Sequence, residues 1–496
     1  TDKGVSWEVL QAPIEGYFGE GSGLFNGQAN YDLAIGASAH NAEDIIIGGV
    51  QLWRHNGNLL RIATEFPGGG LHQYVVHSDK HDIVYDETDA NIIYVLTDGG
   101  VGKSIDGGNT WFEANRGYNV TQFYAGEIHP YGAIPVLLAG AQDNGTQRFD
   151  AGGVNSTTEV SGGDGSFCHI DRNNPDIQIT SYVFNNYFIS TDGGVNFVMR
   201  SFNNYGKFSN PSVYDPATQK LYAGNYGGTY FRWNDPAVAG NNKTFVNVTT
   251  FGTAGVSAIA LSPNVGNRAY FGLDNGKIIR VENINEGYNK SGVVLYAGQT
   301  AYVSGIAIEE GNEDHLLVTF SNYGVESVME STDGGTSWMN VEGDLPDIPV
   351  RWVVHDPSVA SGAFVATQLG IWRTEALNGS STNWFRETNV LNDVRVDMLK
   401  FRPGDNYFLA ATHGRGLFTS TSLVSSKVNF QNQEISVSEG TDAGASGNCG
   451  LNNQILSVPV EITSMPDQNV NLNFSVMSGT TATNGKDYQI ISSSMV

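Results

Sequence analysis

Residues 94–111 read Tyr-Val-Leu-Thr-Asp-Gly-Gly-Val-Gly-Lys-Ser-Ile-Asp-Gly-Gly-Asn-Thr-Trp, and two turns in this stretch decide the fold. A short apolar run ends in Thr97-Asp98-Gly99-Gly100, a second run follows, and that run ends in Ser104-Ile105-Asp106-Gly107-Gly108. Glycine supplies positive φ, and Asp, Ser and Thr side chains bond to turn backbone, so the stretch predicts strand, tight turn, strand, tight turn. Working outward, the strand-turn-strand half recurs at 47–53, 138–149, 180–190, 222–231, 270–280, 318–329, 364–373 and 408–418, making nine copies with 94–103. The spacing is roughly 45 residues, the period of four-stranded propeller blades; a β-solenoid needs a shorter repeat and an immunoglobulin array a longer one.

The second turn is sharper. Ser104 to Trp111 fits S-x-D-x-G-x-T-W; Ser331-Thr332-Asp333-Gly334-Gly335-Thr336-Ser337-Trp338 fits it again. Ser190-Thr191-Asp192-Gly193-Gly194 is a degraded copy, and Thr1-Asp2-Lys3-Gly4-Val5-Ser6-Trp7 matches its final part, so a blade is expected to precede the first residue. This resembles the Asp box of sialidases, sortilin-type luminal domains and xyloglucan-hydrolysing propellers. In that reading Asp2, Asp106, Asp192 and Asp333 staple turns, while Trp111 and Trp338 bury between blades. One ring of up to ten blades, or two smaller rings in tandem, both remain open.

Strand polarity sorts the polar residues. Antiparallel strands reverse at every turn, so the turn between strands two and three lies at the same end as the start of strand one. The turn between strands three and four lies at the other end. The run His77-Ser78-Asp79-Lys80-His81-Asp82 leads into a first strand, as do Gly162-Gly163-Asp164-Gly165, Arg351 and Arg395. Thr97-Asp98-Gly99-Gly100, Gln142-Asp143-Asn144-Gly145 and Thr412-His413-Gly414-Arg415-Gly416 are turns between strands two and three. All are expected on one face, near the axis, where propellers take ligands. His77, Asp79, His81 and Asp82 offer metal ligands, because alternate residues share one side of a strand, or else partners for neighbouring turns. Gln142, Asp143 and Asn144 offer sugar-reading groups or an Asx turn. Asp164 offers close ligand approach or only a tight turn. His413 and Arg415 offer an anion site or a closing turn.

These motifs together resemble secreted propeller proteins of Bacteroidetes type, labelled glycosyl-hydrolase-like or BNR-repeat, over most of residues 1–420. The resemblance implies export, to the bacterial cell surface or beyond it. It does not supply catalysis: the arginine clamp with Tyr and Glu of a sialidase is missing, and no spacing rule picks a pair from Asp79, Asp82, Asp143 and Asp164.

After residue 424 the pattern changes to alternating strands. Ser438-Glu439-Gly440 and the run 480–488, ending Gly485-Lys486-Asp487-Tyr488, resemble Calx-β domains, which are immunoglobulin-like β-sandwiches. The resemblance implies calcium ligands at Glu439 and Asp487, although Ser478-Gly479 stands where an acidic ligand belongs; no other cofactor is required. Domains are therefore expected at 1–424 and 425–496, the second continuing past Val496.

Composition narrows the partners. The chain holds 26 Lys+Arg against 51 Asp+Glu, a formal charge of −25, which disfavours nucleic acid and anionic lipid. No run reaches the roughly 20 apolar residues of a membrane span. Two cysteines, Cys168 and Cys449, fall in different domains, so a disulfide is not expected. The expected function is an exported surface propeller binding a carbohydrate or a protein on the face opposite the Asp boxes. A glycoside hydrolase using paired Asp residues, and a structural part of an envelope, secretion or adhesion assembly, are the alternatives.

Overall fold

Each of the nine repeated hairpins forms strands two and three of its own antiparallel sheet. The structure, a computed structural model, describes residues 5–7, 15–16, 19–20, 27–55, 59–63, 76–131, 136–240, 242–387, 391, 393–402, 404–420, 428–430 and 460–462. We number these nine sheets in chain order: sheet 1 (34–63), sheet 2 (80–113), sheet 3 (123–161), sheet 4 (168–201), sheet 5 (212–248), sheet 6 (256–296), sheet 7 (303–340), sheet 8 (350–386) and sheet 9 (396–420). Sheets 1 to 8 run as four-stranded meanders, sheet 5 gaining a short parallel strand, Asn289–Lys290, at its outer edge. Sheet 9 has three strands among the described residues. The second strands Leu137–Ala141, Ala269–Leu273, Ala363–Thr367 and Tyr407–Thr412 are buried throughout. A strand covered on both faces reads as a continuous apolar run, and that is how these residues read in sequence.

The molecule is an all-β propeller. First strands pack on first strands, so they lie innermost: Val256–Leu261 against Val303–Glu309, that strand against Val350–His355, and that one against Val396–Arg402. The circle then closes. Val396–Arg402 of sheet 9 packs on Phe123–Ile128 of sheet 3. At this seam Phe123, Ala125, Ala139 and Ala141 bury against Met398 and Ala411, while Ile128 and Leu137 bury against Tyr407 and Leu409. Lys400 pairs with Glu127 across it, and Gly416 N–H donates to the Thr121 carbonyl at 3.0 Å. A Cβ at Gly126 would sit 2.8 Å from Leu409 Cδ2, so a larger residue there would push the Leu409 side chain aside. Sheets 3 to 9 are thus a ring of seven. Sheets 1 and 2 stand outside it and share a core of their own, built from Ala34, Ile46, Leu52, Ile83, Ile93, Val95 and Trp111.

The S-x-D-G-G turns are hydrogen-bonded staples. Asp106 Oδ1 accepts from Thr110 N at 2.8 Å and Oδ2 from Thr110 Oγ1 at 2.6 Å, while Gly108 N donates to Ser104 Oγ at 2.8 Å. Asp333 holds Ser337 in the same way, and Asp192 holds Asn196. These bonds lower the carboxyl pKa, to about 2 for Asp192 and Asp333, the first through the Asn196 backbone and the second through the Ser337 hydroxyl. Trp111 is buried and donates to the Gly108 carbonyl; Trp338 reaches the preceding sheet and donates to Leu295 O. The preceding sheet grips the turn in return, through Arg54 to Gly107 O at 2.6 Å and Arg148 to Gly193 O at 2.7 Å. Register puts each turn at the end opposite the lead-ins: Lys80 faces Thr97, whereas Ile93 faces Ser104. Asp2 lies outside the described residues.

The chain separates into two compact units, Thr1–Thr421 and Ser422–Val496. In the second, Val428–Phe430 pairs antiparallel with Val460–Ile462. Glu439, Asp487 and the run 480–488 lie outside the described residues, and so does Cys449. Cys168 is buried and free.

Candidate functional site

The lead-in end of the sheets carries a device that alternation alone does not reveal. In six of the nine sheets the register slips immediately after the first pair of strand one, leaving one bulged residue: His81, Tyr124, Ser257, Ser304, Arg351 and Asp397. A bulge re-aims its side chain out of the strand's alternation. Four of these side chains turn to the first residue of the following two–three turn in their own sheet. His81 Nε2 lies 2.5 Å from Asp98 Oδ1, Tyr124 OH donates to Gln142 Oε1, Arg351 Nη2 donates to Gln368 Oε1 at 2.9 Å, and His413 Nδ1 lies 2.8 Å from Asp397 Oδ2. One backbone module thus presents four different side-chain pairs on one rim.

The densest part of the rim lies where sheet 2 meets sheet 3. Asp164 Oδ1 accepts from Gln142 Nε2 at 2.7 Å and from the Asp143 amide at 3.1 Å. The loop bearing Asp164 lies directly on the turn: Gly165 N donates to Ala141 O, and a Cβ there would sit 2.2 Å from Gly145 O. His77 Nε2 donates to the Asp143 carbonyl at 2.8 Å, and Asn144 Nδ2 to the Asp98 carbonyl at 3.0 Å, tying sheet 2 to the ring. Asp98 Oδ2 accepts from Tyr31 OH at 2.9 Å. Asp79, Asp98 and Asp143 each offer a carboxylate oxygen, and these lie within 4.8 Å of one another. Burial, with the nearby Asp164 and Asp98 charges, pushes the Asp143 pKa up to about 7. Carboxylates this close can share a proton or hold a hard divalent cation.

Beside this cluster opens a cleft of about 340 Å³, lined by Tyr31, Asp98, Gly99, Gly100, Asn115, Tyr118, Val120, Thr121, Gln122, Gln142, Asp143 and Asn144. Tyr31 and Tyr118 are 56% and 54% exposed, so each offers a ring to the solvent, and four side-chain amides line the same cleft. Burial and the hydrogen bond to Asp98 raise the Tyr31 pKa, keeping the phenol protonated. Gly100 adopts φ +110° with Asn115 Oδ1 packed where a Cβ would lie, which holds the turn against the cleft wall.

The residues read from sequence divide accordingly. Gln142, Asp143, Asn144 and Asp164 come together, with His77, Asp79 and His81 beside them. Asp82 does not join: it is exposed, and its Oδ1 accepts from the adjacent Ile83 amide. The alternate-residue argument for His77, Asp79 and His81 fails because Asp79 has φ +58° and the bulge follows at once, so the three do not share one strand face. His413 and Arg351 sit further round the rim, and Arg415 is exposed at the last turn. Tyr31, Tyr118, Asn115, Tyr124 and Asp397 were not singled out by sequence. Their one signal was position, since Tyr124, Asp397 and His81 occupy equivalent places after the first residue of strand one.

No family model matches the chain, and no curated protein matches it. Among solved structures, YCF48 from Cyanidioschyzon merolae is similar at 17% identity and a TM-score of 0.39, over 58% of this chain and 92% of that one. That likeness carries no functional conclusion.

Proposed function

We propose that this propeller is an exported surface protein that binds a carbohydrate chain in the cleft between sheets 2 and 3. The observation that carries the reading is the pairing of two solvent-facing tyrosine rings with side-chain amides and carboxylates in one concave site. Sugars present apolar C–H faces that stack on aromatic rings and hydroxyls that pair with fixed polar groups, so such a mixture fits them. The S-x-D-G-G turns at the opposite end support kinship with Asp-box propellers, and the acidic surface supports solubility in a salt-exposed setting. The test is a glycan array read with the full chain, followed by titration of any hit. Tyr31→Ala and Tyr118→Ala should each weaken the hit about tenfold or more. Unchanged affinity in both variants would refute the cleft as the site.

One observation favours hydrolysis as a second reading. Asp98 and Asp143 lie together at the sheet 2–sheet 3 junction, and a carboxyl pushed up to about 7 is protonated in a substantial fraction of molecules at neutral pH, as a general acid requires. Their oxygens lie nearer the roughly 5 Å of a nucleophile pair than the wider gap that admits a water. Product analysis on the hit glycan decides it: new reducing ends that vanish in Asp143→Asn support cleavage, and an intact glycan after long incubation excludes it.

A further inference from the structure

We infer that the mouth of the seven-sheet ring holds an anion site centred on Arg351, and that the bound carbohydrate therefore carries a carboxylate or sulfate group. Only the sugar part rests on the reading above; the anion site stands on its own geometry. The chain is strongly acidic, yet three cations gather on this rim. Lys207 lies 5.0 Å from the Tyr302 ring and 5.4 Å from that of Tyr226, and pairs with Asp274 at 3.3 Å. Arg395 pairs with Asp397 at 2.7 Å. Arg351 differs. It is the bulged residue of sheet 8, and its one side-chain partner is a neutral amide, Gln368 Oε1. Among the described residues it forms no ion pair, and its buried Nε has no hydrogen-bond partner.

A half-buried guanidinium without a carboxylate is costly, and an anion delivered from outside removes that cost. The neighbouring Asp397 pairs with Arg395 through Oδ1 and with His413 through Oδ2, and among the described residues no hydrogen bond or ion pair joins it to Arg351. Burial and the neighbouring Arg395 charge lower the Arg351 pKa, the direction expected of a cation lacking its counter-ion. Guanidinium geometry suits flat or tetrahedral oxyanions, which accept from two N–H groups at once. The polar chain from Asp397 through His413 and Tyr124 to Gln142 links this site to the cleft wall, His413 and Tyr124 lying ring to ring at 6.0 Å. A chain-like ligand seated in the cleft can therefore run along the rim toward Arg351.

Glucuronate, inorganic sulfate and glucose, titrated separately into the full chain at low ionic strength and followed by calorimetry, test this. Glucuronate or sulfate should bind and glucose should not. Preference for glucuronate assigns a sugar carboxylate, and preference for sulfate a sulfate ester. Arg351→Gln should weaken the anion about tenfold or more, while Arg351→Lys retains part of the binding and guards against loss of fold. Absence of anion binding in the wild type, or equal binding in Arg351→Gln, overturns the proposal. Neutral-glycan binding that survives Arg351→Gln but fails in Tyr31→Ala would leave the cleft reading standing alone.

Discussion

Asp143 joins two constraints in a single residue. It adopts φ +56°, a conformation that Asp tolerates better than most side chains, and that conformation sets its carboxyl beside Asp98 and Asp79. Burial then raises its pKa to about 7 from an ordinary value of about 3.9. A folded-state pKa above the unfolded one gives stability that is complete below about pH 4 and lost as pH climbs through about 7. Thermal melts of wild type should therefore decline across that window, and Asp143→Asn should be flatter over it. Parallel curves would show that the carboxyl ionises freely. The residue type was legible in Gln142-Asp143-Asn144-Gly145, but its protonation was not. That depends on Asp98, 45 residues earlier, and on Asp164 from a loop that closes only in three dimensions.

At the scale of the element, the nine hairpins were legible because glycine and apolar runs fix turns and strands locally. The bulge was not. A register slip after Lys80 or Val350 leaves no mark in composition; it shows only in the pairing of the first strand with the second. Alternation therefore assigned His77, Asp79 and His81 to one face wrongly, although strand polarity put them at the correct end. The interface between sheets 7 and 8 shows a second buried device that the sequence did not announce. His315 lies 2.9 Å from Glu309 Oε2 and 2.9 Å from Glu330 Oε1, with the His355 ring 4.6 Å away. The Glu330 and Glu309 hydrogen bonds raise the His315 pKa, whereas burial pushes His355 down to about 4. Protonated His315 thus contributes stability below its ordinary pKa of about 6.5, and the contribution fades as pH rises through the raised value. His315→Gln should lower the melting temperature at pH 6 more than at pH 9; an equal drop at both would assign the residue to packing alone.

For the whole molecule, the repeat count was readable but the partition into two sheets plus a ring of seven was not. Nothing in the spacing distinguishes sheet 3 from its neighbours. What sets it apart is that its innermost strand takes sheet 9 as partner, through Ala125, Gly126 and Ile128. Leu409 is wholly buried at that seam. Leu409→Ala should cost about 2–5 kcal/mol in chemical unfolding and raise the rate of proteolytic nicking near the seam; a cost typical of a surface site would mean the ring is held elsewhere.

The seam has a consequence for the order of events during synthesis. Gly126 and Met398 touch across a sequence separation of 272 residues. The innermost strand of sheet 3 therefore waits, one flank bare, until almost the entire ring has left the ribosome. Contacts this distant make acquisition of the native state slow and leave intermediates prone to sticking. A chaperone that shields that strand until sheet 9 arrives would raise the yield of folded molecules.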